Sequence, residues 1–580
     1  MTKMILEPFI ETIVGNPNQV SSNPTGAGGG TGTNVLSMSL ALTTAGRLGF
    51  YVDYSELATT GTHTFYVCRT HGTTGAVTVD YATSGDSHTS VSGTLSWATG
   101  EANIKSFTAT VSSKSAGDHR MWALLSNPTG GSVLHNGATH TRAFGVIDDG
   151  TIASDSDAVF YDSAATGGTG TQADPYDSIY TAITNIGSKR YIYGKGSTVI
   201  TATNQVSIAG SGTINCINAP ATRANEAARA YIRNWPGFTW GISGTGTTTG
   251  GFFAEAGESY HTYRGIDFSG LDSSGATIAN CFGVFYRYNN SSGINSELCT
   301  YDDINGATGA NNGGFMPWGV DGFRSWRNTY NNIQTNGVNT NENTGGVTLF
   351  NGESGSMQRD KCTNMYHGLY HKNTVSPQVS TSVRFCIMKT LTQGVAYREA
   401  GAGQDGHQYP VTQNNLFSAC DIGIYHWVTV GGGVSAEKLA WSNNVFDTCG
   451  GGTEAAIQFR AAFNSQIYNN IMLDCRRVWN DAQDAEATKS PDVEYADYNV
   501  EFGTTLTSQR YGWKGAAYST AALLDTASGF AGNDVSADPV FTNTALDDYT
   551  LDTGSSATGA GVSSVDCGIY LTGIEVVGPA

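Results

Sequence analysis

Between Asn331 and Asn480 the apolar residues come in short pairs set among Asn, Gly, Thr and Ser, and one phrase of that pattern returns three times. It reads Asn414-Asn415-Leu-Phe-Ser-Ala-Cys420, then Asn443-Asn444-Val-Phe-Asp-Thr-Cys449, then Asn469-Asn470-Ile-Met-Leu-Asp-Cys475, at offsets of 29 and 26 residues. Weaker copies precede it at Asn331-Asn332-Ile333 and in the windows that close on Cys362 and Cys386. A period in this range marks a stacked-repeat architecture. The units carry no apolar spacing of three to four residues, which predicts strands rather than helices.

A single coil of short strands cannot bury its interior face, whereas stacked coils bury a continuous apolar column. Asn at one point of every turn lets side-chain amides hydrogen-bond along the stack and satisfies groups that burial would otherwise strand. Cys suits the same surroundings as a small hydrophobe. In these repeats the chain resembles the right-handed parallel β-helix proteins, the family of pectate, alginate and chondroitin lyases and of phage tailspikes. The fold class expected is all-β, a right-handed parallel β-helix preceded by a β-sandwich.

The flanking segments read differently. Residues 1–45 are short apolar pieces broken by Asn-Pro and a Gly-rich run, a flexible leader or a segment docking on virion tail proteins. Residues 46–150 hold Phe65-Tyr-Val-Cys-Arg69, Ala76-Val-Thr-Val-Asp-Tyr-Ala82 and Lys105-Ser-Phe-Thr-Ala-Thr-Val111, which alternate as half-buried strands do. With Gly93-Thr-Leu-Ser-Trp-Ala-Thr-Gly-Glu101, Leu124-Leu-Ser-Asn-Pro128 and Val146-Ile-Asp-Asp149 they resemble a Calx-β sandwich. That resemblance implies calcium as a cofactor, with Asp118, Asp148 and Asp149 as candidate metal ligands, although hard oxygen donors are few. The β-helix is expected over 157–500, entered through a Gly/Thr loop, Asp174-Pro175 and a short capping helix at Ile179–Ile183. Residues 501–580 resemble the closing segment of bacterial β-helix repeat proteins, which lies back along the rod and seals its far end.

Composition narrows the classes of function. Of 580 residues 74 are Gly and only 14% are charged, a balance typical of extracellular or virion β-proteins. The net charge of −19 argues against nucleic acid as a partner. No apolar run reaches the length of a membrane span. Met1-Thr-Lys-Met-Ile-Leu-Glu-Pro8 lacks the regions of a signal peptide, so the expected location is a virion, or outside the cell with the signal removed. The ten cysteines form no Cys-x-x-Cys pair, which disfavours zinc, and their spacing predicts a column of reduced, buried thiols.

Aligning the strand after each Asn or Cys window gives Gly314-Phe-Met-Pro-Trp318, Gly346-Val-Thr-Leu-Phe350, Gly368-Leu-Tyr-His-Lys372, Gly394-Val-Ala-Tyr-Arg398, Gly423-Ile-Tyr-His-Trp427 and Ala456-Ile-Gln-Phe-Arg460. Alternation points the uniformly apolar second position inward. It points the third and fifth outward, so Tyr370 and Tyr425, then Trp318, Phe350, Lys372, Arg398, Trp427 and Arg460, are expected on a water-facing strip. Aromatic faces stack on sugar rings and Arg forks grip carboxylates or sulfates, which suggests a groove for an anionic polysaccharide. His371 and His426 fall inward and read as hydrogen-bonded core residues.

The family resemblance implies a Lys or Arg base for a lyase; Lys372 and Arg398 on adjacent rungs, with Glu399 beside them, are the catalytic candidates. A hydrolase needs two carboxylates about 5–9 Å apart, and Glu353, Glu399, Asp405 and Glu454 are the nearest. Three readings stand open. The first is a virion tailspike-like protein that binds, and in one version depolymerises, a host surface polysaccharide. The second is a secreted bacterial polysaccharide lyase, and the third a non-enzymatic structural adhesin or fibre subunit. The tailspike reading implies a homotrimer, although no heptads specify one.

Overall fold

The computed structural model describes most of residues 45–579. Outside the description lie residues 1–44, 112–118, 135–141, 202–213, 275–279, 288–290, 340–342, 374–380, 400–410, 428–435, 482–492, 504–508 and 570–574. So do the shorter gaps 53, 58–60, 71, 86–87, 102, 149, 247, 256, 308–309, 353, 438–439, 453, 461, 464, 514, 576 and 580. The chain is all-β: a β-sandwich followed by a right-handed parallel β-helix.

In the sandwich, one sheet holds Lys105–Val111, Gly61–Thr70, Arg47–Phe50 and Val133–Leu134 in that spatial order. The other holds Tyr54–Leu57, Arg142–Ile147, His119–Ser126, Val77–Gly85 and Ser92–Trp97. Alternate residues such as Phe65, Val67, Val79, Phe107 and Ala109 meet between the sheets around Trp97, as the period-2 pattern requires.

From Ala158 to Asp481 the strands of the rod pair in parallel with the strand one turn later. In the first sheet the inward row runs Val159, Ile192, Ile232, Tyr263, Ser296, Ser325, Met357, Val383, Thr412, Trp441, Ile467 and Ala496, each the Cα partner of the next. In the second it runs Ile242, Phe268, Tyr301, Tyr330, Cys362, Met388, Phe417, Phe446 and Met472. Like side chains stack one turn apart: Phe268 on Tyr301, Tyr301 on Tyr330, and Phe417 on Phe446, with centroids 4.9–5.0 Å apart and planes within 8°. The third sheet, described below, closes the coil, and its inward row joins the same buried core.

The repeated Asn pair divides two tasks. The first member, Asn414, Asn443 or Asn469, sits in the left-handed region at φ 56–57°, which Asn tolerates better than most residues. The second builds a ladder: Asn415 Nδ2 donates to Asn444 Oδ1 (3.0 Å), Asn444 to Asn470 (3.1 Å) and Asn470 to Asn499 (3.1 Å). Each ladder oxygen also accepts a backbone N–H from the turn before, as from Asn415 N to Asn444 Oδ1 (3.1 Å). All ten cysteines are free and buried.

The ends of the core are covered. Helix α1, Ile179–Thr184, is capped at its N-terminus by the Ser178 hydroxyl and sets Ile179 and Ala182 on the first turn. Helix α2, Ala521–Ser528, capped by Thr520 and closed by Gly529 at φ 78°, sets Leu524 against the far end. The segment after it returns along the rod. Val535 bridges Val500, Gly568 N–H donates to Asn469 O, and Gly578 N–H donates to Phe385 O. Tyr549, Ala557, Cys567 and Ile569 pack on the outward Leu416, Val445, Ile471 and Val500. The run ends against the sandwich, where Tyr51 Oη donates to Glu575 (3.0 Å).

Candidate functional site

The third sheet carries the aligned segments. Its strands include Asn312–Pro317, Thr344–Phe350, the C-terminal halves of Lys361–Asn373 and Ile387–Glu399, Ile422–Trp427 and Ile457–Arg460. Val347, Leu369, Val395, Ile424 and Ile457 are consecutive Cα partners, and all are fully buried in the core. The row two residues on, Leu349, His371, Tyr397, His426 and Phe459, is inward as well. His371 Nδ1 lies 3.4 Å from the Thr381 hydroxyl, and Tyr397 Oη donates to Thr381 O at 2.7 Å.

The fifth positions form a file. Phe350, Lys372, Arg398, Trp427 and Arg460 are consecutive Cα partners, so one follows another at the spacing of stacked strands, about 4.8 Å. Trp318 precedes them, its ring 4.5 Å from that of Phe350. Lys372 Nζ lies 5.5 Å over the Phe350 ring, a cation–π contact. Trp427 stacks on Tyr425 with centroids 5.7 Å apart and planes within 20°. Trp318, Phe350, Lys372, Arg398, Tyr425 and Trp427 are all half-buried. The Arg460 side chain and the Glu399 side chain lie outside the description, and only their backbone register is placed.

Other third positions depart from the water-facing expectation. Met316, Thr348, Ala396 and Tyr370 are buried, Tyr370 to 1% exposure. The Tyr370 ring is held between His367, stacked at 4.5 Å, and Phe350, edge-on at 5.9 Å. His367 Nδ1 lies 3.0 Å from Thr344 O and its Nε2 lies 2.9 Å from the Gln393 side-chain amide, and burial pulls its pKa down to about 3. Met316 joins Phe253, Phe282, Phe285, Ile214 and Cys216 in an apolar cluster on the outer side of the sheet. Alternation assigns a face but not what lies over it.

The glycine that opens each segment explains part of this. A Cβ on Gly283, Gly314, Gly394 or Gly423 would come within 2.4–2.6 Å of the inward ring of Tyr301, Tyr330, Phe417 or Phe446. The strand therefore bends at a residue without a side chain. The same motif identifies a residue the aligned set omitted: Gly283-Val-Phe-Tyr-Arg287 puts Arg287 one turn before Trp318. Arg287 N–H donates to Ala254 O as Trp318 N–H does to Tyr286 O, and its guanidinium pairs with Glu255 at 3.9 Å.

The remaining candidates scatter. Glu353 and Asp405 lie outside the described residues, and Glu454 is half-buried on the turn before Ile457. A shallow recess of about 410 Å³ near that turn is lined by Asp421, Gly450–Gly452, Asp474 and Arg476. Among the described residues no group of three His, Cys, Asp or Glu side chains is placed to hold a metal. Of the candidate calcium ligands, Asp118 and Asp149 lie outside the description. Asp148 pairs with Arg233 and Arg264 at 3.1 Å each, and the two guanidinium groups hold its carboxyl well below the usual range. It is a salt-bridge residue between sandwich and β-helix, where positive neighbours oppose a cation.

That interface is the feature sequence reasoning missed. Arg120 of the sandwich is 1% exposed and donates to Glu297 (2.5 Å), Tyr54 (3.2 Å) and Thr262 (3.0 Å). Glu297 also pairs with Arg264 (3.0 Å), which reaches Glu56 (2.9 Å). In a chain that is only 14% charged, Arg120, Arg264 and Glu297 were the available signal.

No helix among the described residues is long and apolar enough to cross a membrane. No protein-family model matches the chain, and no curated protein matches it. Among solved structures, it is similar at 22% identity to the apo form of the Calx CBD1 domain, covering 18% of this chain and 97% of that one, with a TM-score of 0.16. It is also similar at 22% identity to CBD12 from CALX1.2, covering 17% of this chain and 43% of that one, again with a TM-score of 0.16.

Proposed function

We propose that the protein is a tailspike-like, carbohydrate-active β-helix that binds an anionic polysaccharide along the third sheet, outside the cell or on a virion. The observation that carries this is the file of Trp318, Phe350, Lys372, Arg398, Trp427 and Arg460, one residue per turn, in a chain of net charge −19. An extended glycan laid along the rod meets two aromatic rings, then two cations, then a third ring and a third cation. Aromatic rings stack on the apolar faces of sugars, and the cations meet carboxylate or sulfate. On the lyase reading Lys372 and Arg398 on adjacent turns, with Glu399 next in the chain, are the candidate catalytic groups, so eliminative cleavage is the activity to look for.

The test is binding and turnover on alginate, pectin, chondroitin sulfate and neutral glucans. At least one acidic polymer is expected to bind, and Lys372→Ala with Arg398→Ala is expected to weaken it by 10-fold or more, about 1.4 kcal/mol per decade. Appearance of unsaturated-uronate absorbance identifies a lyase. Binding to none of the acidic polymers, or equal affinity in the double variant, sinks the groove.

A further inference from the structure

We propose that the third sheet ends in a dedicated subsite for the terminal sugar of the glycan, an acidic monosaccharide unit held by Arg477 and Asn480. This rests on the groove reading for its place in a longer chain, but the recess stands on its own geometry. Parallel stacking of the third sheet stops at Tyr511–Trp513, which turns back antiparallel through Ala516–Tyr518. Among the described residues no later strand continues the outward row of Gln458, Asn480 and Gly512, so a glycan following the sheet has an end-stop there.

At that stop lies a cleft of about 360 Å³ lined by Arg477, Asn480, Asp481, Gln509, Tyr511 and Gly512. The size is at the small end for ligand sites and suits one sugar rather than several. Its lining is mainly polar. Asn480 follows Gln458 on the outward side of the sheet, and Gly512 follows Asn480. A Cβ at Gly512 would stand 2.0 Å from Asn480 Oδ1, so the missing side chain is what makes room for the amide. Arg477 donates through Nη2 to Gln509 Oε1, which fixes the plane of the guanidinium. A planar fork held in this way matches a carboxylate in two-point contact. The Asn480 amide both donates and accepts, as paired sugar hydroxyls require. Asp481, although it lines the cleft, is the Cα partner of the inward Phe459 and only 3% exposed.

Galacturonate is the probe, with glucuronate and mannuronate alongside and galactose as the uncharged control, titrated into the full chain by ligand-observed NMR. At least one uronate is expected to bind at least 10-fold tighter than galactose. Arg477→Ala should remove that preference, while Lys105→Ala, in the sandwich, leaves it intact. If Arg477→Ala does not fold, Arg477→Lys keeps the charge but not the fork, and Gly512→Leu fills the cleft without touching a charge. Either should weaken uronate binding 10-fold or more. No binding of any of the three uronates, or binding indifferent to both Arg477 and Gly512 variants, overturns the subsite. The groove fails separately: polymer affinity unmoved by Lys372→Ala and Arg398→Ala refutes it whatever the monosaccharide does.

Discussion

Asp360 is a carboxylic acid at a place in the stack that other turns fill with Asn or Cys. It follows Arg359 at φ 57° and accepts the Asn328 backbone N–H at 2.6 Å, as Asn444 Oδ1 accepts that of Asn415. Its other oxygen accepts the Ser325 hydroxyl. Burial raises its pKa to about 8, so the folded state holds a proton that the unfolded chain releases near the ordinary value of about 4. The sign follows from linkage. The acid form is harmless below about pH 4, and stability then falls by about 1.4 kcal/mol per pH unit as pH rises, until the folded group itself ionises near 8. Asp360→Asn places an amide in the ladder and removes that slope. The difference in melting temperature between variant and parent should therefore widen from pH 5 to pH 8.5, and an unchanged difference would show that the carboxyl is already ionised in the fold.

The ladder acts as one element because each amide satisfies two neighbours. Asn444 accepts from Asn415 N and Nδ2 and donates to Thr412 O (2.9 Å) and Asn470 Oδ1 (3.1 Å). Asn444→Ala strands at least one buried backbone N–H, which costs about 1–3 kcal/mol per group. A lower denaturant midpoint with unchanged slope is the expected result. Gly394→Ala acts through space instead. The added carbon would stand 2.5 Å from both Gly423 O and the Phe417 ring, so a loss larger than that of Asn444→Ala is expected in the same titration. The free thiols need no partner: burial lifts Cys420 and Cys449 well above the usual range, so reductant should leave the melting temperature where it is.

In the whole molecule, sandwich and rod are joined by buried ion pairs. Removing Arg120 leaves Glu297 charged, buried and short of a partner, a loss of about 3–5 kcal/mol for a pair of this kind. Arg120→Ala should therefore loosen the sandwich, read as faster proteolysis near residues 150–157. Acid should do the same. Arginines hold Glu226 down at about 2 and keep Glu297 and Asp148 below the ordinary carboxylate range. Their contribution is complete above that range and is lost as pH falls toward about 2. Small-angle scattering is expected to show a more extended particle between pH 4 and 2 than at pH 7. A radius that stays constant while the rod remains folded would show that apolar contacts such as Tyr54 on Trp326, 4.8 Å apart, suffice.

The coil, its Asn ladder and the inward rows of the third sheet were legible along the chain. They depend on period, and a period is a one-dimensional property that stacking must repeat. The file from Trp318 to Arg460 was legible for the same reason, and Arg287 would have joined it had the opening glycine been followed back to Gly283. Three things were not. Tyr370 and Met316 face outward yet are covered, because the pleat says which side a residue leaves by and nothing about what packs there. Asp148 looked like an acidic loop and is an arginine partner, because Arg233 and Arg264 lie far from it in the chain and meet it only after the rod has wound. The cleft at Arg477 exists because the last strand turns back on itself. Where a repeat stops is decided by the packing at its end, not by the repeat.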